Sequence, residues 1–135
     1  MTSSRTGAIV ASVQLTLDST PPAHLIRGYS AHEIRIGDRS VRRSCVVAAQ
    51  QLILDWEPLE FAQLAPAHLE RVLALQPELV LLGSGLTQRF AAAEVRGLLA
   101  ARGVGLETME LGAACRTYNV LVQEGRRVAA GLFLS

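Results

Sequence analysis

The second half of the chain alternates short apolar runs with segments of helical periodicity, and this alternation constrains the fold more than any other feature. Residues 79–82 form a continuous apolar run of the kind that is buried on both faces of a parallel sheet. Helices are predicted over residues 87–102 and 112–124, and strands over residues 104–109 and 127–134. Strand, helix, strand, helix, strand at this spacing predicts right-handed crossovers and a parallel βαβαβ unit.

Apolar spacing and glycines indicate where the two predicted helices run. Thr87 can cap the first helix, and Gly103 and Gly125 follow the two helices as C-terminal stops, because glycine readily adopts the left-handed conformation that ends a helix. Helical spacing predicts one buried stripe on the first helix. The stripe consists of Phe90, Ala91, Val95, Leu98 and Leu99.

The first half of the chain contains an antiparallel hairpin signal. The Gly-Asp pair at residues 37–38 suits a two-residue type II′ turn, since glycine comes first. In that register Ile34, Ile36 and Val41 share one face of the ribbon, and polar side chains take the other. Two further apolar strands are predicted over residues 45–49 and 52–56, and a short helix over residues 67–75 after Pro66.

These patterns predict an α/β fold. We expect a single three-layer domain with a mixed sheet, in which a parallel βαβαβ second half is joined to an antiparallel hairpin or meander from the first half. A chain of 135 residues is the length of one domain. We expect residues 1–10 to be a disordered tail and residues 11–135 to form the domain, with a short strand over residues 14–18.

Composition excludes several classes of function. The net charge of +1 with mixed signs gives no broad footprint for nucleic acid. All 13 basic residues are Arg, which excludes a lysine Schiff base and a P-loop lysine. The histidines and cysteines show no metal-ligand spacing, so we expect no metal and no cofactor. No apolar run reaches the ~18 residues that a membrane span needs, and no secretory signal is evident. We therefore expect a cytoplasmic protein without membrane insertion.

Gly83, Ser84 and Gly85 lie between a predicted strand and a predicted helix, and they form the first candidate site. Backbone N–H groups and a helix dipole at such a position can hold a carboxylate or a phosphate. The dinucleotide and P-loop signatures are both incomplete here, because Gln88 stands where a third glycine is needed and no GK[ST] follows. The alternative is that the glycines only permit a tight turn.

The last predicted helix carries the second candidate site. Arg116, Asn119 and Gln123 are expected on the face opposite the core, beside Thr117, where an Arg fork and two amides suit a carboxylate or a partner's backbone. The alternative is an ordinary solvated helix face. Cys115 is a redox candidate, because the helix dipole can lower the pKa of its thiol, but its position beside core residues favours a structural role.

A family resemblance lies in three segments of the second half of the chain. They are PELVLLGSG at residues 77–85, GVGLETME at residues 103–110 and AACRTYNVLVQEGRRV at residues 113–128. The chain resembles a family of small uncharacterised α/β domains that includes the mitochondrial complex I assembly factor three and an adipogenesis-associated domain protein. The resemblance implies a three-layer fold with a mixed sheet and, for the mitochondrial relatives, a non-catalytic role in assembling a membrane enzyme. The motif positions, none of which has an assigned catalytic role, are Gly83, Gly85, Cys115, Arg116, Thr117, Tyr118 and Asn119.

The sequence departs from that family pattern at one place. Relatives often carry Asp-Thr ahead of the alanines, whereas this chain has Glu110 and Leu111. We expect Gly112 to take over the cap position of the helix.

Three hypotheses about function follow. The first is a non-enzymatic protein-interaction or assembly module. In this hypothesis the chain binds a protein partner through the Gly83–Gly85 edge and the Arg116/Asn119 helix face. The second is a binder of a small anionic ligand, or a weak enzyme, with a pocket at the same glycine loop. The third is a redox role for Cys115.

Overall fold

The computed structural model describes residues 20–134. The predicted tail over residues 1–10 and the predicted strand over residues 14–18 lie outside the described residues. The described strands are β1 (Ile26–Tyr29), β2 (Ile34–Ile36), β3 (Arg39–Val41), β4 (Cys45–Ala48), β5 (Leu52–Ile53), β6 (Leu79–Ser84), β7 (Gly105–Met109) and β8 (Val128–Phe133). The helices are α1 (Glu70–Leu73), α2 (Ala93–Ala101) and α3 (Leu111–Gln123), with 3₁₀ turns at Phe61–Gln63 and Pro66–Leu69.

The predicted hairpin is confirmed in register and in orientation. Strands β2 and β3 pair antiparallel, with Ile34 opposite Val41 and Ile36 opposite Arg39. Gly37 has a φ of 60°, as the first position of a type II′ turn requires. Ile34, Ile36 and Val41 are buried. Strand β1 pairs antiparallel with β2 and completes a three-stranded sheet in the order β1-β2-β3.

The second sheet has five strands in the order β5-β4-β8-β6-β7. Strand β6 pairs parallel with both β7 and β8, which confirms the predicted parallel βαβαβ unit. Strand β4 pairs antiparallel with β8 and with β5, so the sheet is mixed.

Two apolar cores lie on the two faces of this five-stranded sheet and make the fold three-layered. Alternate residues along β6 explain the division, because successive side chains of a strand point to opposite faces. Leu81 faces the three-stranded sheet and α3, whereas Val80 and Leu82 face α2 and the 3₁₀ turns. The mixed three-layer α/β class expected from the sequence is therefore confirmed.

The helix predicted over residues 87–102 begins later than expected. Helix α2 starts at Ala93, and the predicted core residue Phe90 is 82% exposed, so its placement in the buried stripe was wrong. The reason lies in Ser84. Its hydroxyl donates to the Thr87 carbonyl at 2.8 Å and accepts from the Arg89 amide at 3.0 Å, which holds these residues in a turn. The rest of the predicted stripe is buried or partly buried.

Two other predicted elements are shorter or tighter than expected. The helix predicted over residues 67–75 is a 3₁₀ turn followed by one turn of α-helix, and it ends before Gln76, whose φ is 58°. The strand predicted over residues 52–56 ends at Ile53, because the Trp56 side chain turns inward, is 1% exposed and donates its indole N–H to the His68 carbonyl at 3.0 Å.

Candidate functional site

Gly83 is the place where α3 comes closest to the five-stranded sheet. A Cβ atom built at this position lies 3.1 Å from the Ala114 Cβ, 3.1 Å from the Leu132 Cδ2 and 3.4 Å from the Leu111 Cα. At these distances a methyl group fits only if its neighbours shift by a few tenths of an ångström, so glycine allows the first turns of α3 to lie directly on β6. Gly83 therefore serves helix packing in the described structure.

Ser84 is a buried polar side chain that organises the loop after β6. Only 2% of its surface is exposed, and its hydroxyl is hydrogen-bonded to the backbone of Thr87 and Arg89, with the Met109 carbonyl 3.2 Å away. A buried hydroxyl of this kind is satisfied by backbone partners. The loop over residues 85–92 is thus tied to the ends of both β6 and β7.

The N-terminus of α3 lies beside this loop, and the chain's own groups occupy it. Gly85 has a φ of 88°, and its carbonyl accepts a hydrogen bond from the Leu111 amide at 2.7 Å. The Glu110 carboxylate accepts from the Gly112 amide at 3.1 Å and from the Ala113 amide at 2.5 Å. Glu110 is therefore the helix cap, and the expectation that Gly112 would take that position was wrong.

The geometry explains why the cap falls on Glu110. The carboxylate provides the acceptor that the first free amides of a helix need, and a negative charge is favoured at that end of the dipole. Gly112 has a different task, since a Cβ atom at this position would lie 2.7 Å from the Tyr29 hydroxyl oxygen. The first amides of α3 are thus bound by a carboxylate of the chain itself, and the anion site expected at the Gly83–Gly85 loop stays a prediction.

Arg116 is a solvent-exposed site residue on α3. Its side chain is 65% exposed and lies 3.7 Å from the Glu110 carboxylate. One guanidinium nitrogen donates to the Tyr29 hydroxyl at 2.5 Å. The guanidinium is held in place by these contacts while most of it remains open to solvent.

Asn119 is not part of an open patch with Arg116. Its side-chain carbonyl accepts from the Ile26 amide at 2.9 Å, and its side-chain NH₂ donates to the Ile26 carbonyl at 2.8 Å. The amide therefore pairs with β1 as a neighbouring strand would. Thr117 is half-buried on the same helix, and Gln123 is exposed.

Cys115 and Cys45 are both buried in the core between α3 and the five-stranded sheet. The pKa of each thiol is raised to about 12, chiefly by burial and, for Cys115, also by the neighbouring Cys45 and Glu110. A thiol that remains protonated is a weak nucleophile. This environment does not favour the redox hypothesis for Cys115.

The loop after β6 exposes apolar side chains that the sequence reasoning missed. Leu86 is 65% exposed and Phe90 is 82% exposed. Phe90 borders a groove of about 190 Å³ that also includes Phe61, and the Arg89 guanidinium lies 5.7 Å from the centre of the Phe61 ring. The spacing of Leu86 and Phe90 also fits one face of a helix, so the local sequence pattern could not distinguish this loop from the start of a helix.

A second cavity lies at the opposite end of the sheet, where β8 begins. Its volume is about 270 Å³, and its lining includes Gln50, Leu75, Val122, Arg126 and Arg127. The Arg126 guanidinium is paired with the Glu78 carboxylate at 3.1 Å. This cavity is separate from the predicted glycine-loop site.

Residues 20–134 provide neither a metal-binding cluster nor a membrane-spanning helix. Across residues 20–134, no group of three or more His, Cys, Asp or Glu side chains is arranged so that it could hold a metal ion. Within the same stretch, no helix has both the length and the apolar character needed to cross a bilayer.

The fold defines a small three-layer α/β domain with a mixed five-stranded sheet. The chain belongs to the family described as "protein of unknown function (DUF498/DUF598)", whose model matches residues 26–133. This match confirms the family resemblance found in the sequence.

Three individual proteins illustrate the family. The chain is 32% identical over 85 residues to a Francisella tularensis protein called "13 kDa major membrane protein", covering 62% of this chain and 69% of that one. It is 29% identical over 123 residues to the zebrafish NADH dehydrogenase [ubiquinone] 1 alpha subcomplex assembly factor 3, covering 90% and 70%. An NMR structure of a Xanthomonas campestris protein is 37% identical and superposes with a TM-score of 0.76, covering 82% and 84%.

Proposed function

We propose that this protein is a non-catalytic protein-interaction module of the assembly-factor type. The observation that carries the proposal is the exposure of Leu86 and Phe90 on a loop that Ser84 holds in one conformation. An ordered loop with exposed apolar side chains loses little conformational entropy when a partner covers it. We call Leu86, Phe90 and Arg116 the loop edge, since the loop and the start of α3 lie at the same end of the sheet.

Two further points support this placement of the interface. The Arg116 side chain is exposed and already oriented by Tyr29, so its guanidinium is available to a carboxylate or carbonyl of a partner. The similarity to an assembly factor of NADH dehydrogenase supports a stoichiometric partner rather than a substrate. More specifically, the proposed partner is a subunit of a respiratory complex.

The test is affinity capture of the tagged full chain from an extract of its own cells. The Phe90→Ser and Arg116→Ala variants serve as interface variants. Val120→Ser is the matched control, because Val120 is 54% exposed on α3 and lies outside the loop edge. We expect the control to capture the same partner as the native chain, and Phe90→Ser and Arg116→Ala to recover less than about a tenth of it, which corresponds to a loss of ~1.4 kcal/mol or more.

Two outcomes would contradict the proposal. One is that the native protein captures no stoichiometric partner, and the other is that both interface variants retain every captured partner. The thermal unfolding midpoint of each variant is measured alongside, and we expect little change because the substituted side chains are exposed.

The proposal includes a cytoplasmic location. Centrifuging the same extract tests it, and recovery of the protein only with the membrane pellet would contradict it. The name of the Francisella relative makes this control necessary, since that protein is called a membrane protein.

A further inference from the structure

The outward face of the three-stranded sheet carries a concentration of arginines. Ile34 and Ile36 of β2 are buried against the core, so Arg35 between them points to the other side and is exposed. Its cross-strand neighbours are Gly28 on β1 and Ser40 on β3. Arg35 therefore stands between two small residues on an open surface.

A bulge in β1 adds a second arginine to this face. The register of β1 against β2 shifts between Ile26 and Gly28, and Arg27 is the extra residue. Ile26 is buried while Arg27 is exposed. A Cβ atom built on Gly28 would contact nothing within 4 Å, so the surface beside Arg27 is clear. We call Arg27, Gly28, Arg35, Ser40 and Arg42 the outer face.

Few carboxylates balance these arginines. Glu33 accepts a hydrogen bond from the Ser40 hydroxyl at 2.6 Å and lies 3.6 Å from Arg42, whose side chain is 78% exposed. No carboxylate among residues 20–134 lies within 4.0 Å of a guanidinium nitrogen of Arg27 or Arg35. Like charges on one face of a sheet are unfavourable, and a bound anion would relieve that cost.

The charge of the chain is concentrated in this segment. Residues 26–43 contain five Arg and two acidic residues, a net charge of +3, whereas the whole chain has a net charge of +1. The remainder of the molecule is therefore net negative. Such an uneven distribution steers a partner of opposite charge toward one surface.

We propose that the outer face binds an extended acidic segment of a partner protein. The guanidinium fork pairs with a carboxylate through two parallel hydrogen bonds, and small residues between the arginines let a chain lie flat on the strands. Three arginines and one carboxylate, that of Glu33, give the outer face a net charge of +2. This charge suits a short acidic peptide better than a nucleic acid, whose binding needs a wider basic footprint. This surface is separate from the loop edge, so the proposal stands independently of the proposed function.

The experiment measures binding of a fluorescein-labelled octaglutamate peptide to the full chain by anisotropy at low salt. The Arg27→Gln/Arg35→Gln variant is compared with Arg96→Gln/Arg102→Gln, which removes the same charge from two exposed positions at α2. We expect the first pair to weaken binding about ten-fold or more and the control pair less than about two-fold, and salt to weaken binding of the native chain. Arg35→Gln alone gives a smaller loss in the same direction.

Three results would overturn the proposal. The first is an equal loss in both pairs, which would show a general charge effect. The second is no binding of octaglutamate by the native chain. The third is tighter, Arg35-dependent binding of a DNA duplex or of phosphatidylglycerol vesicles, which would assign the face to another class of anion. The loop-edge variant Phe90→Ser is expected to bind octaglutamate normally, so failure here is distinguishable from failure of the proposed interface.

Discussion

At the scale of single residues, Gly83, Ser84 and Gly85 each make a contact that shapes the fold. Gly83 belongs to β6 itself, and the residues that crowd it come from α3 and β8. The hydroxyl of the neighbouring Ser84 is hydrogen-bonded to the loop backbone, and the Gly85 carbonyl accepts a hydrogen bond from the first amide of α3. The three residues thus join β6, the loop and α3 into one compact corner.

Gly83→Ala is expected to destabilise the protein by about 1–3 kcal/mol, because the added methyl group meets a helix and a buried leucine that are already in contact. Gly97→Ala is the matched control. Gly97 lies in α2 with nothing within 4 Å of the added Cβ, so alanine is expected to stabilise by roughly 0.5–1 kcal/mol through its helix propensity. Urea denaturation measures both, and a neutral or stabilising Gly83→Ala would contradict this account of the corner.

At the scale of elements, side-chain hydrogen bonds join α3 to β1. Asn119 makes both of its hydrogen bonds with the backbone of Ile26, and the Tyr118 hydroxyl donates to the His24 carbonyl at 2.6 Å. The Asn119 side chain therefore binds the edge of the three-stranded sheet with the pair of hydrogen bonds that a neighbouring strand would make. The sheet that carries the outer face is held on the molecule partly through this amide.

Asn119→Ala is expected to lower the free energy of unfolding by roughly 1–3 kcal/mol, because it leaves two partly buried backbone groups of Ile26 without partners. Hydrogen exchange at the Ile26 amide should accelerate by more than the global change. Gln123→Ala removes an exposed amide from the same helix and is expected to alter neither quantity noticeably. Unchanged protection at Ile26 would show that the pairing contributes little in solution.

Elements with a strong local signal were predictable from the sequence. The hairpin, β6, β7, β8 and α3 follow from period-two or helical spacing and from turn residues, so they lie within a residue or two of their expected bounds. The loop over residues 85–92 was missed because the Ser84 hydroxyl binds the nearby backbone of Thr87 and Arg89, and these local hydrogen bonds outweigh a helical pattern. Asn119 was placed on a free surface because its partner Ile26 is 93 positions away in the chain.

At the scale of the whole molecule, buried thiols make the stability of the fold depend on alkaline pH. The chain has no Lys, and its two cysteines are buried. Burial raises the pKa of Cys45 and of Cys115 from 9.0 to about 12, and it also raises the pKa of the Tyr118 hydroxyl. The folded chain thus keeps protons that the unfolded chain releases, and stability must depend on pH in this range.

We expect the contribution of these thiols to the free energy of unfolding to be independent of pH below about pH 9. This contribution falls as the pH rises from about 9 to about 12. The Cys45→Ala/Cys115→Ala variant is expected to be less stable at neutral pH, because it leaves small cavities, but to lose less stability over the alkaline range. Urea denaturation at several pH values measures both. Identical slopes for the native chain and the variant would contradict the assignment to the thiols.

The strand order has a consequence for how the molecule comes into being. Strand β8 lies between β4 and β6 and, among the strands of residues 20–134, it alone joins the antiparallel part of the five-stranded sheet to the parallel part. It is also the last of the described strands to be synthesised. A nascent chain that ends at residue 127 therefore lacks a strand that contributes to both cores, and the edges of β4 and β6 that pair with this strand are open. Cooperative folding has to wait for β8. During that interval the unpaired edges of β4 and β6 can pair with other chains unless chaperones cover them.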